Sequence, residues 1–160
     1  MKKGKKILLI SVFVLALLGI FLIGEFYSTG KTTFDSKIKT IPLSDEERQK
    51  VSQILSSSEF IKDVPKDNPV AVIFYSFENG ERIWRDGFLL GGGRLLSDGK
   101  PAVQISLDSR YISELNQNNL CDVVKEAKRN GDLGFYSEAN KAILLIKYSG
   151  LLKYRSCFGF

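Results

Sequence analysis

The chain has 160 residues, a mass of 17.9 kDa, 44% apolar residues and a formal charge of +5. That is room for one domain with its own core, and hardly for two. It contains no histidine, which excludes Ser-His-Asp and Cys-His catalysis, histidine-bound zinc and histidine-ligated haem.

Residues 7–24 read ILLISVFVLALLGIFLIG, with Ser11 as the one polar side chain. As a helix this stretch reaches about 27 Å, close to the hydrocarbon thickness of a bilayer. Lys2, Lys3, Lys5 and Lys6 precede it, and Glu25, Phe26 and Tyr27 follow. Lysines are retained on the cytoplasmic side, so residues 1–6 are expected inside and the rest across the membrane. The stretch is long for the core of a cleaved signal peptide, which is the competing reading. Its best cleavage site, Ser28-Thr29-Gly30, stands well past the apolar end. An uncleaved transmembrane signal anchor is therefore expected. The leading lysines and Glu25 account for most of the charge, leaving +2 for residues 31–160. Nucleic acid is not an expected partner.

Residues 25–42 are mostly polar and read as a stalk, followed by an extracytoplasmic domain over 43–160. Ser44-Asp45-Glu46-Glu47 is a capping box, and Val51, Ile54 and Leu55 continue it at helical spacing. Phe60, Ile61 and Val64 suggest one more turn before Pro65 and Pro69. Residues 70–77 (VAVIFYSF) form the clearest strand, and Asn79-Gly80 is a hairpin turn leading into residues 81–90. Asp86-Gly87 interrupts the second strand as a bulge or bend. Glycines 91–93 mark a flexible turn; they lack the spacing of a phosphate-binding loop. Residues 102–107 (AVQISL) alternate like a half-buried strand.

Asp108 or Ser109 can cap a helix bearing Tyr111, Ile112 and Leu115. Asn119 can cap the next, with Leu120, Val123, Val124 and Ala127 on one face and Gly131 closing it. Residues 133–136 are a short strand candidate. Residues 142–154 are apolar nearly all round and are expected to form a buried helix, with a strand at 142–146 as the alternative. The fold class is α+β: a largely antiparallel sheet covered by helices, preceded by one transmembrane helix.

Asp86, Asp98, Asp108 and Glu114 are scattered acids without pairing, so no catalytic set is expected, and no metal or cofactor. The sheet aromatics can fill a core or line an apolar cavity. Cys121 and Cys157 are two, and outside the cytoplasm a disulfide persists. A bridge would close a loop of about 36 residues, worth roughly 3–4 kcal/mol in the chain-entropy account. Buried free thiols are the alternative.

Between residues 101 and 152 the pattern is a strand entering a helix pair, then Gly131-Asp132-Leu133-Gly134-Phe135, then an apolar C-terminal helix. It resembles the sterol-carrier-protein type 2 (SCP-2-like) domain, and the hairpin of residues 70–90 fits that family's opening strands. The resemblance implies a tunnel between sheet and helices for a lipid or acyl chain. By position, its lining would come from Phe88, Leu90, Ile105, Ile112, Leu115, Val124, Phe135, Leu144, Leu145 and Tyr148. The expected function is lipid binding by a membrane-anchored domain. The alternative is a non-catalytic interaction module for another envelope protein; an enzyme is least favoured. A lipid binder should enclose several hundred cubic ångströms of apolar space. An interaction module should have a filled core and an exposed apolar patch.

Overall fold

The structure, a computed structural model, describes residues 40–158. The expected anchor at 7–24 and residues 25–39 of the stalk lie outside them. Among the described residues no helix is long and apolar enough to cross a membrane.

The first helix, α1 (Asp45–Ser57), starts where the capping box predicts. The Glu47 amide donates to Ser44 Oγ at 3.2 Å, and the Ser44 amide donates to Glu47 Oε2 at 2.9 Å. Three acids in the first turn face the positive end of the helix dipole, and Val51, Ile54 and Leu55 are buried. Replacing Ser44 with alanine removes one half of this reciprocal cap. The expected cost is about 1 kcal/mol in a urea denaturation series, with no change in m. The extra turn also forms, as α2 (Glu59–Lys62), burying Phe60 and Ile61.

Strands β1 (Val70–Glu78) and β2 (Glu81–Gly91) make the expected hairpin. Its turn needs positive φ at both residues, and Asn79 (52°) and Gly80 (83°) supply it. Asp86 is a bulge: Ile73 pairs with Gly87 but Phe74 with Arg85. The extra residue is put to use. Its amide donates to the Ile41 carbonyl at 3.0 Å, and its carboxylate accepts the Leu43 amide at 2.8 Å and pairs with Arg48. Ile41, read from sequence as part of the stalk, thereby forms a bridge on the edge of β2.

A second turn leads to β3 (Arg94–Leu96), and the sheet is completed by β4 (Val103–Asp108) and β5 (Leu133–Tyr136) in the order β3-β2-β1-β4-β5. Here the expectation of a largely antiparallel sheet is corrected. β4 runs parallel to β1, so the sheet is mixed. The cause is where the chain re-enters. The Ala102 amide donates to the Pro69 carbonyl, so β4 begins beside the start of β1 and must run the same way.

After β4, Asp108 caps as expected, its Oδ1 accepting the Arg110 amide, but Ser109–Ile112 is a single 3-10 turn. Helix α3 (Leu120–Arg129) buries Val123, Val124 and Ala127, and Gly131 closes it at φ 78°. Asn119 does not cap it; its side-chain oxygen accepts the Asn116 amide instead. The single buried C-terminal helix is also corrected. It divides into α4 (Lys141–Lys147), a 3-10 stretch (Ser149–Tyr154) and α5 (Arg155–Phe158), with a break at Tyr148. α4 buries none of its residues. The core lies on the sheet face carrying Val70, Phe74, Leu90, Ile105 and Leu107, against the helices.

Candidate functional site

Period-two alternation puts Val72 and Phe74 of β1 on the core face, level with Ile105 and Leu107 of β4, and Leu133 of β5 is paired beyond Leu107. Above them lie Val51, Ile54 and Leu55 of α1, and Leu115, Leu120 and Val124 around α3. Together they enclose an apolar seam between sheet and helices. Its free volume is about 40 Å³. A water molecule would fit by size but would find no hydrogen-bonding side chain in the walls, so the seam is dry.

An enclosed cavity of several hundred cubic ångströms was expected; the seam is an order of magnitude smaller, because side chains of both layers interdigitate across it. Of the expected lining, Ile105, Leu115 and Val124 meet there. Leu90, Ile112 and Tyr148 are buried elsewhere in the same core, and Phe88 and Leu144 pack half-buried against it. Phe135 and Leu145 do not line the seam and are 43% and 53% exposed. Phe135 sits on the edge strand with its ring against Phe158, and Leu145 lies on α4, which buries none of its residues. Of the seam residues absent from the expected lining, Val51 and Leu55 carried a helical periodicity, while Val72 and Phe74 lay in a continuously apolar strand, Phe74 as one of the sheet aromatics that could fill a core or line a cavity. What was missing was which helix face meets which strand.

A second, open cleft of about 840 Å³ lies where β1 and β4 end, under the first turn of α1. Its charges are largely committed. Glu47 pairs with Arg85 at 2.9 Å, Lys50 donates to the Ser113 carbonyl at 2.7 Å, and Asp108 caps the 3-10 turn. Burial pushes the Glu47 carboxyl up, but hydrogen bonds from Ser44 and Arg85 outweigh it and hold it below the usual carboxylate value.

The structure does bring Cys121 and Cys157 together, across the contact of α3 with α5, but as free thiols. The expected disulfide is not formed: the two side chains meet as hydrogen-bonding neighbours rather than at bonding distance. Burial, and then the hydrogen bond with Cys121, push the Cys157 thiol up to about 12. At pH 8 its thiolate population, and hence its alkylation by iodoacetamide, should be roughly a thousandfold below that of the unfolded chain. Mass-spectrometric mapping of labelling with and without urea checks this. The sign for stability follows from the unfolded thiol ionising first. This contribution is intact at neutral pH and is lost as pH rises above about 8.5 towards 12.

No family model matches the chain, and comparison with curated proteins finds no relative. Among solved structures, one similar chain is the solution structure of the sterol carrier protein domain 2 of Helicoverpa armigera. It is 15% identical, with a TM-score of 0.36, over 72% of this chain and 87% of that one. A superposition this loose carries over neither a site nor a ligand.

Proposed function

We propose that this protein is a non-catalytic binding module for a lipid or acyl chain, taken up in the seam between the sheet and helices α1 and α3. One observation carries the reading: every side chain lining the seam is apolar, and both layers contribute. An acyl chain would part side chains rather than break backbone hydrogen bonds, because the seam-facing residues of α1 and α3 are apolar, while the Arg48–Asp86 and Glu47–Arg85 pairs hold the first turn of α1 to β2. Burial returns about 0.8 kcal/mol per methylene, so a long chain can offset the cost of opening. The sequence resemblance to the SCP-2-like family points to the same ligand class. In this reading residues 7–24 anchor the protein in a membrane with residues 1–6 in the cytoplasm. The domain then lies on the far side, at high local concentration near lipid.

The test is native mass spectrometry of residues 40–160, a span that contains every described helix and strand, after incubation with palmitate. A one-to-one adduct that disappears on denaturation is expected. Val124→Trp, which fills the seam, should lose the adduct while keeping the circular dichroism of the parent. A clean unliganded mass for the parent, or an adduct retained by folded Val124→Trp, overturns the seam as the site. The first outcome would favour the interaction module for an envelope protein, which the filled core and the exposed residues of α4 otherwise suit.

A further inference from the structure

The open cleft and the dry seam are walled by the same parts of the chain, taken in step. On α1, Val51 and Ile54 face the seam, and Glu47 and Lys50, one turn earlier, line the cleft. On β1, Phe74 faces the seam, and Ser76, next along the same strand face, lines the cleft. Leu107 of β4 faces the seam, and Asp108 and Ser109 after it line the cleft. Ile112 then lines the cleft, and Leu115 beyond it the seam. The cleft therefore continues the seam, polar where the seam is apolar. Its charges are largely paired. Glu47 pairs with Arg85, and Arg110 with both Asp132 and Asp108. Among the described residues this leaves Lys50 and Glu46 without an ionic partner, one of each sign. Lys50 donates to the Ser113 carbonyl and keeps further N–H groups to give. The Ser76 and Ser109 hydroxyls make no hydrogen bond among the described residues. Phe77 lines the same space and is 54% exposed.

We propose that the cleft holds the uncharged saccharide head group of a lipid whose tail lies in the seam. The inference rests on the seam as the site of the tail and adds the chemistry of the other end. A phosphate or carboxylate head would meet no surplus of positive charge in the cleft, so part of its desolvation would go uncompensated. A hydroxyl both donates and accepts. A ring carrying several can accept from Lys50, donate to Glu46, and do either with Ser76 and Ser109. Its C–H face can lie on the Phe77 ring, whose face carries the negative end of the quadrupole. The volume agrees. At about 840 Å³ the cleft is far larger than a carboxylate needs and is of the size that takes whole small molecules.

The experiment is calorimetric titration of residues 40–160 with three probes. They are dodecyl maltoside below its micelle concentration, laurate, which has a tail of the same length, and maltose. Dodecyl maltoside should bind about tenfold more tightly than laurate, and maltose alone only weakly. Phe77→Ala should erase the difference and leave laurate binding as it was. That side chain is exposed, so the fold should survive, and circular dichroism checks it. Glu46→Ala, on the exposed side of the first turn of α1, should narrow the difference in the same direction. Equal binding of dodecyl maltoside and laurate by the parent overturns the head-group site and leaves the seam standing. Maltose binding as tightly as dodecyl maltoside would mean that the cleft takes a free saccharide, and overturns its link to the seam. Val124→Trp reports on the seam separately, since it should abolish laurate binding. If neither amphiphile binds the parent, the seam and the head-group site fall together.

Discussion

Replacing Phe74 with alanine is expected to cost about 3–5 kcal/mol and, in the same step, to turn the closed seam into a cavity that takes up a small apolar probe. Phe74 is 1% exposed and stands in the middle of β1, between its partners Leu107 on β4 and Arg85 on β2. Its ring is part of what keeps the free volume of the seam near 40 Å³. Removing it leaves space on the order of 100 Å³ with no polar side chain in the walls, which is the condition for a dry cavity that binds benzene or xenon. Urea denaturation gives the loss, which a domain with ordinary stability should survive. A rise in Tm on adding benzene, present in Phe74→Ala and absent in the parent, reports the cavity. A loss under about 1 kcal/mol would show that the ring is not packed as described. A full loss without benzene rescue would show that the helices collapse onto the sheet.

Gly87→Ala should be comparably damaging for a different reason. A Cβ at that position would lie 1.9 Å from the Val72 carbonyl oxygen and 2.7 Å from Ile73 Cα, both backbone atoms of the neighbouring strand. No rotamer relieves this, so β1 and β2 must move apart at the bulge. A loss of about 3 kcal/mol is expected, at the upper end of overpacking. The displacement would also shift Asp86, which holds the Ile41, Leu43 and Arg48 segment to the sheet edge. Faster hydrogen exchange at Leu43 and Asp86 should therefore accompany the loss. Gly80→Ala is the internal comparison. Its Cβ would meet nothing within 4 Å, so only the strain of its positive φ remains, about 1–2 kcal/mol. If both variants lose the same amount, the close approach at Gly87 is not what sets its cost.

Local features were legible because they are written in neighbouring residues. The capping box at Ser44, the turn at Asn79-Gly80, the bulge at Asp86-Gly87 and the helix end at Gly131 each depend on a few consecutive side chains and backbone angles. The stripes Val51-Ile54-Leu55 and Val123-Val124-Ala127 likewise announced a buried face. The candidate site was legible in part. Ile105, Leu115 and Val124 were named and Phe74 was among the sheet aromatics, while Val72 and the α1 residues opposite them were not placed there.

The sequence by itself determined the apolar segment at 7–24, the α+β order of elements, the cap at Ser44, the turn at Asn79-Gly80, and which face of α1 and α3 is apolar; β4, read as half-buried from its alternation, is buried on both faces. These follow from interactions between residues a few positions apart, where periodicity and stereochemistry leave little choice. Only the tertiary structure decided that β4 enters beside Pro69 and runs parallel to β1, since a strand's alternation is the same in either direction. It alone decided that Cys121 and Cys157 meet without bonding, and that the seam is filled rather than open. It also turned the most apolar stretch of the domain's C-terminus outwards, leaving Leu145 and Ile146 exposed. A sheet with one core face has limited area to cover, and α1, α3 and the segments after Tyr148 already cover it. Hydrophobicity can say that α4 seeks burial, but not that the domain has no room left to provide it.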